Sequence, residues 1–429
     1  MKRTSLFLLL ALILVNIGAK GCDNEPPELN TIGNKATFEE KALAFTVTAH
    51  DPDGDPVTFT VQNLPAGAAF NPVSGDFYWK PAFDQAGVYT NVRFTASDGE
   101  DTDSETIQIT VDDVPYFVWA IGNNANYYYT PNEGAWEDRT PGDLVGERLD
   151  DMVFLDPYEA WVTGGGIYHY LDWAWTERPE LSDHKFTEIA MLDASYGMVI
   201  DRLPVNVMGV FDGTNWTQRT ILNPEPDRTY VLYGVDCDDA DGCVGYGQAY
   251  NADSSASIPV AVSCPQVGDC TVAVHDVPTV DCNFEGWRVV EANGGDRVMI
   301  GHCAHADYVC EDAVVVGPFG ITRIPWWCYP DDASLVSATS LWVIENAELR
   351  HFDGTDWIDI TMPSVSSSDW YLSAVEFISD NEGWITGVDN ENQKGLLFHY
   401  LNGNVTLENI PDHGGEWDLN GIVAADADL

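Results

Sequence analysis

The residue types best equipped for chemistry are nine cysteines, eight of which fall between Cys237 and Cys328 while Cys22 stands alone near the start. In an exported chain an even set of this kind closes as disulfides rather than remaining as thiols. Eight cysteines allow about 105 pairings, so connectivity stays open. Local spacing favours Cys237 with Cys243, Cys264 with Cys270 and Cys303 with Cys310, which leaves Cys282 and Cys328 as one longer bridge. His302-Cys303-Ala304-His305 with Cys310 also reads as a metal cluster, but zinc sites use recognisable paired spacings, and a disulfide with incidental histidines is the favoured reading. Asp236, Asp238, Asp239 and Asp241 beside Gly242 form a loose calcium-loop pattern whose ligand spacing is broken by Cys237 and Ala240. An acidic hairpin tied by Cys237 and Cys243 fits better. The chain has no HExxH, GxSxG or phosphate-loop pattern, so metalloprotease, hydrolase-elbow and nucleotide-binding readings have no foothold.

The elements that must position these residues begin with an address. Met1-Lys2-Arg3 is a basic n-region, and the apolar run from Leu6 to Ile17 is too short to span a bilayer comfortably. It ends in Ala19-Lys20-Gly21-Cys22, which resembles the lipobox of bacterial lipoproteins. That resemblance implies acylation of the Cys22 thiol, removal of residues 1–21, a tether over residues 22–28, and a lipid-anchored place in the cell envelope, at the outer membrane or cell surface. Lys20 and Ala19 depart from the small or apolar residue and the leucine the motif prefers, so ordinary signal cleavage before Cys22 is the competing reading.

Length and charge set further bounds. A chain of 429 residues exceeds one ordinary core and calls for two or three domains. Thirty-seven glycines and 23 prolines suit many turns between short strands, and long amphipathic helical patterns are missing. The formal net charge is -50, from 69 acidic and 19 basic residues. Nucleic acid is thereby excluded as a partner, because neutralising a phosphate backbone needs clustered Lys and Arg. The surplus reads as a solvated acidic surface first and as dedicated cation binding second.

Over residues 29–113 apolar residues alternate as Leu43, Phe45, Val47, then Val57, Phe59, Val61, then Ile107, Ile109, Val111, which is the pattern of a β-sandwich. The strings Ala49-His50-Asp51-Pro52-Asp53-Gly54-Asp55, Asn63-Leu64-Pro65-Ala66-Gly67-Ala68, Gly75-Asp76-Phe77-Tyr78-Trp79-Lys80-Pro81, Gln85-Ala86-Gly87-Val88-Tyr89 and Phe94-Thr95-Ala96-Ser97-Asp98-Gly99 follow in order. Together they resemble the dystroglycan-type, cadherin-like Ig module over residues 27–112. The resemblance implies calcium at one end of the sandwich, with Glu39, Asp51, Asp53 and Asp98 as ligands and Asp55 as a further member. The same Asp-Gly and Asp-Pro pairs are also what β-turns require.

From residue 115 to 429 one unit recurs: strand, Asp-containing turn, Trp-containing strand ending in Gly, third strand, turn, and a further Trp. Met152-Val153-Phe154-Leu155-Asp156, Ala160-Trp161-Val162-Thr163-Gly164 and Ile167-Tyr168-His169-Tyr170 return as Val375-Glu376-Phe377-Ile378-Ser379-Asp380, Gly383-Trp384-Ile385-Thr386-Gly387 and Leu397-Phe398-His399-Tyr400. Anchors at Trp119, Trp161, Met198, Val244, Val298, Trp342 and Trp384 recur at roughly 37 to 54 residues, the period of four-stranded propeller blades. Seven anchors predict seven blades. The first blade lacks a leading strand, and the tail from Trp417 to Asp426 supplies one, so the ring is expected to close by pairing the two ends of the domain.

The repeats are similar to those of sialidase-like and photosystem-assembly-factor-like propellers. A sialidase-type hydrolase needs an arginine cluster, a Tyr nucleophile and an acid, whereas arginines here are scattered. The Asp-box is echoed only by Asp212-Gly213 before Trp216 and Asp353-Gly354 before Trp357, and such boxes are structural turns. Tyr127-Tyr128-Tyr129 and Trp326-Trp327 either present a stacking surface or fill the space between blades. The expectation is an all-β chain, an Ig-like (cadherin-like) sandwich followed by a seven-bladed propeller. It is a non-enzymatic envelope protein that binds a protein or glycan ligand. A glycan hydrolase and a purely structural scaffold are the alternatives.

Overall fold

The structure is a computed structural model. It describes residues 24–131, 134–140, 147–171, 174–201, 207–222, 227–238, 242–251, 257–274, 283–291, 297–304, 310–317, 320–325, 330–412 and 416–426. Cys22, Trp326 and Trp327 lie outside these residues. The chain divides into two compact units, Met1–Asp113 and Val114–Leu429.

The first unit is a β-sandwich. One sheet runs Lys35–Phe38, Thr102–Asp112, Gly87–Ser97, Thr58–Gln62, with Lys35–Phe38 parallel to its neighbour and the other pairs antiparallel. The facing sheet is Leu43–Thr46, Asp76–Trp79, Ala69–Phe70. Strands that show one face to water and one to a core must alternate, and Ile107, Ile109 and Val111 are buried while their neighbours are less so. They meet Phe59, Phe77, Trp79 and Phe94 from both sheets, with the Phe45 and Phe77 rings stacked at 4.6 Å. The turn Asn71–Gly75 passes under this core so closely that a side chain at Gly75, φ +75°, would strike the Val47 carbonyl.

The second unit is built from antiparallel four-strand groups. Leu149–Asp156, Glu159–Gly164, Ile167–Leu171 and Ala174–Arg178 form one such sheet in sequence order, and Asp332–Ser337, Ser340–Glu345, Glu348–Phe352 and Trp357–Ile360 form another. Asn283–Glu291, Arg297–Ala304, Cys310–Gly317 and Gly320–Pro325 make a third, and Trp370–Ser379, Glu382–Asp389, Lys394–Leu401 and Asn404–Leu407 a fourth. The first blade differs because its members come from both ends of the unit. Tyr116–Gly122, Ala125–Tyr129 and Glu137–Asp138 are completed by Gly421–Asp426, which pairs antiparallel with Tyr116–Gly122 through Trp119↔Val423. The tail thus zips the domain shut.

One departure from seven separate sheets lies in the middle of the domain. Glu188–Asp193, Tyr196–Ile200, Val207–Phe211 and Trp216–Leu222 share an eight-stranded sheet with Arg228–Asp238, Gly242–Asn251, Ser257–Cys264 and Cys270–Val274. The join is a short parallel seam between the two outermost strands, Ile221↔Cys270 and Leu222↔Thr271. Each half remains an antiparallel four-strand group, and the third and fourth blades are therefore fused at their outer edge. The innermost strand of each group neighbours the next: Leu149–Asp156, Glu188–Asp193, Arg228–Asp238, Asn283–Glu291, Asp332–Ser337, Trp370–Ser379, Gly421–Asp426, and from there back to Leu149–Asp156. That closed circuit is the architecture of a propeller.

Packing between blades rests on large aromatic residues. Trp161, Trp342 and Trp384 occupy the second strand of their blades and are fully buried. Each stacks on the histidine directly opposite on the third strand: Trp161 on His169 at 4.2 Å, Trp342 on His351 at 4.0 Å, Trp384 on His399 at 5.0 Å. A polar group two residues before each tryptophan holds the imidazole Nε2: Glu159 at 2.8 Å, Ser340 at 2.9 Å and Glu382 at 3.1 Å. In the first blade Tyr128 stands opposite Trp119 instead. Each stack lies within one sheet, where the hydrogen bond fixes the imidazole plane, and the tryptophan also reaches the next blade, as Trp342 does in stacking on Phe377 at 3.8 Å.

Candidate functional site

In a propeller the innermost strands neighbour one another without forming a shared ladder, so their outer backbone edges need partners from side chains. Here carboxylates supply them. Asp151 of the second blade accepts from the Ile189 N–H of the third at 2.9 Å, and Asp332 of the sixth accepts from the Val375 N–H of the seventh at 2.9 Å. Beside the second of these, Ser334 Oγ accepts from the Phe377 N–H at 2.9 Å. Acidic residues facing the axis are therefore partly architectural.

Around them lies a cavity of about 470 Å³, walled by the second, third, fourth, sixth, seventh and first blades. Its charged lining is Asp150, Asp151, Glu188, Asp331, Asp332 and Glu376 against Arg148 alone among the described residues. Arg148 Nε is held by Asp150 at 2.5 Å, and Asp331 accepts from the Asn346 N–H at 2.7 Å. Burial pushes the Glu376 carboxyl up to about 8, the charge of Asp332 pushes in the same direction, and a hydrogen bond with Ser334 opposes them. Near neutral pH this carboxyl is mostly protonated and can donate a hydrogen bond. Burial, with Asp418 second, also raises the phenol of Tyr371 on the same wall. The arrangement attracts positive charge and repels anions. An arginine clamp for a substrate carboxylate is not found among the described lining residues.

Sequence reasoning missed this cavity, although a signal was present. Asp150-Asp151 and Asp331-Asp332 occupy the same place at the start of an inner strand in the second and sixth blades.

The residues singled out for calcium are not brought together as one set. Asp51 Oδ1 accepts from the Asp53 and Asp55 N–H groups, both at 3.0 Å, and Asp98 Oδ1 accepts from Glu100 and Asp101 at 2.7 Å. Asn24 Nδ2 donates to Asp98 at 2.9 Å, and the Glu25 N–H donates to Asp53 at 2.8 Å, which ties these carboxylates to one end of the sandwich. Glu39 sits at the other end of the strand Thr102–Asp112, where its N–H donates to Asp112 and its carboxylate accepts from Ala86 at 2.6 Å. Ten residues of extended chain separate the two ends by about 30 Å. Glu39 is thus removed from the set that the resemblance implied. No group of three or more metal-ligating side chains is found among the described residues. One atom does fit an ion: Asp51 Oδ2 is buried with no hydrogen-bond partner.

Two expected disulfides are formed, Cys237 with Cys243 and Cys264 with Cys270. Cys282 and Cys328 lie outside the described residues, as do the side chains of His302, Cys303, His305 and Cys310 and most of the acidic loop after Asp236. The two Asp-box echoes are turns. Asp212 Oδ1 accepts from Thr214 and Asn215 at 3.0 and 2.9 Å, and Asp353 Oδ1 accepts from Thr355 and Asp356 at 2.9 Å. Tyr127 and Tyr128 are buried between blades and form no exposed platform.

Residues 26–112 match the family model described as Putative Ig domain, and the first unit is an Ig-like domain. No curated protein matches the sequence. Among solved structures, a quinonprotein alcohol dehydrogenase-like protein from Bacteroides thetaiotaomicron is 9% identical, with 92% of this chain and 97% of that chain covered and a TM-score of 0.42. YCF48 bound to a D1 peptide is 16% identical over 70% of this chain and 89% of its own, at a TM-score of 0.44. The Pan2 WD40 domain of Neurospora crassa is 9% identical over 82% and 98%, at 0.36. The propeller assignment rests on strand order and ring closure, and an Ig-like domain joined to a propeller is an architecture of binding or scaffolding.

Proposed function

We propose that this chain is an exported, lipid-anchored, non-enzymatic envelope protein whose propeller binds a protein partner through lysine or arginine side chains inserted at its axial cavity. The observation that carries this reading is the acidic lining of that cavity, five carboxylates and the protonated Glu376 against one arginine among the described residues. A glycan bearing carboxylates or sulfates would be repelled there, which favours the protein ligand over the acidic glycan. The anchor is Cys22, and the two disulfides support an oxidising compartment.

The test is a calorimetric titration of an oligolysine peptide into the full chain and into the variant Asp150→Asn with Asp331→Asn. Asparagine keeps the oxygen acceptors and removes two charges. Binding to the wild type that weakens about tenfold in the variant, roughly 1.4 kcal/mol, supports the proposal. Equal affinity for both proteins, or no binding by either, refutes it.

For the Ig-like domain we further propose a calcium ion at the end that gathers Asp51, Asp53, Asp55 and Asp98. Its support is the buried, unpartnered Asp51 Oδ2. The neighbouring carboxylates would turn inward to complete the coordination shell. A melting temperature that rises with millimolar calcium in the wild type but not in Asp51→Asn supports the ion, and no rise in either protein dismisses it.

A further inference from the structure

The four cysteines of the fourth blade form a pattern that stability alone does not require. Cys237, Cys243 and Cys264 are register partners in succession, Cys237↔Cys243 and Cys243↔Cys264, and the pairing Ser263↔Thr271 sets Cys270 beside Cys264. One cysteine from each strand therefore stands at the same level across the whole blade. Residues directly opposite in antiparallel ladders project to the same face. The four sulfurs accordingly make a row on the face shared with Tyr196, Met198 and Met208 of the third blade, where Met208 Sδ lies 3.6 Å from Cys264 Sγ. Disulfides join the first to the second and the third to the fourth, with Cα separations of 4.0 and 4.1 Å. The middle pair, Cys243 and Cys264, are unbonded neighbours and fully buried. Tyr196 pins their backbones: its hydroxyl accepts from the Cys243 N–H at 3.1 Å and donates to the Cys264 carbonyl.

We infer that this row is a thiol–disulfide relay whose substrate is an external thiol. Cys237 is the entry point, because it alone among the four is partly exposed. An incoming thiolate attacks Cys237 Sγ, a mixed disulfide forms there, and the bond to Cys243 breaks. The expelled Cys243 thiolate is held among apolar side chains, where charge is costly, directly opposite Cys264. It attacks Cys264 Sγ, the Cys264–Cys270 bond breaks, and Cys270 leaves. A row of sulfurs suits this displacement, which requires attacking, central and leaving atoms nearly in line.

The sum is conservative. One external thiol and two disulfides become a mixed disulfide on Cys237, a disulfide between Cys243 and Cys264, and a thiol on Cys270. Two S–S bonds break, two form, and the proton of the incoming thiol ends on Cys270. Nothing is oxidised or reduced overall. Reaction at the inner strand of the blade thus releases a thiol at its outer strand, beside the seam that joins Ile221 to Cys270.

The experiment incubates the full chain with cysteamine, quenches with acid, alkylates and maps the modified cysteines by peptide mass spectrometry. The relay predicts cysteamine on Cys237, the alkyl group on Cys270 and a cross-linked peptide joining Cys243 to Cys264. An alkyl group on Cys243 with Cys264–Cys270 intact overturns it, as does a protein in which neither disulfide opens. The variant Cys270→Ala gives an independent reading without added thiol. The freed Cys264 attacks Cys243, so the alkylated residue is Cys237, and a thiol that stays on Cys264 contradicts the relay.

Discussion

Replacing Glu376 by glutamine isolates the most perturbed group in the cavity. Its carboxyl stands at about 8 against an ordinary 4.5, so the folded chain holds a proton that the unfolded chain releases between those values. The stabilisation from that proton is fully present below pH 4.5 and is lost as pH rises through about 8. At about 1.36 kcal/mol per pKa unit the whole span amounts to about 5 kcal/mol. Glu376 borders the cavity, where solvent reaches part of its surface, and we expect about half of this, ~2–3 kcal/mol. Glutamine preserves shape and a hydrogen-bonding group for Ser334 but cannot ionise. Urea denaturation of both proteins at pH 5 and pH 8.5 reads the effect, and general charge repulsion among the other acidic residues cancels in the difference. The variant should gain ~2–3 kcal/mol relative to wild type at pH 8.5 over its relative stability at pH 5. An identical difference at both pH values refutes the claim that this carboxyl is buried and protonated.

Other consequences follow from the packing. Trp384→Ala removes a fully buried ring stacked on His399 and should cost roughly 3–5 kcal/mol by denaturation, and a loss below about 1 kcal/mol would contradict its place between blades. Asp353→Ala strips two N–H groups of their acceptor and should lower the melting temperature, with Asp212→Ala matching it within error because the two turns share one geometry, and an unchanged melting temperature in both would count against these bonds. His351 is held below its ordinary 6.5 by burial, so its contribution is present above that value and lost as pH falls below it. The variant His351→Gln should show a shallower loss of stability between pH 7 and pH 5 than wild type, and a parallel loss would count against the assignment. Palmitate labelling should disappear in Cys22→Ser, and labelling that persists would remove the proposed anchor.

Much of the fold was legible because its signals are local. Ile107, Ile109 and Val111 alternate within one strand, and Gly-Trp-x-Thr-Gly at residues 383–387 repeats the pattern of residues 160–164 closely enough to set the blade period. The missing first strand and the surplus tail were visible as a matched pair, and Gly421–Asp426 does lie beside Tyr116–Gly122. What escaped notice depends on register between distant residues. The stacked Trp and His pairs are separated by 8, 9 and 15 residues in their three blades because the connecting hairpins differ in length, so no fixed spacing betrays them. The seam at Ile221↔Cys270 joins two outer strands whose meeting depends on how adjacent blades splay, which no local pattern encodes. The family resemblance groups Glu39 with Asp51, but Glu39 pairs with Asp112, at the opposite end of an 11-residue strand from the Asp98 turn. The acidic cavity exists only once separate blades converge, and Asp150-Asp151 alone looks like any pair of surface carboxylates.

The axial cavity exists only if the ring is shut, and hydrogen exchange measures that closure directly. If Gly421–Asp426 closes the first blade, its amides and those of Tyr116–Gly122 should be as protected as those of Glu382–Asp389 in the seventh blade. Rapid exchange across Gly421–Asp426 while Glu382–Asp389 stays protected would show an open ring and contradict the account.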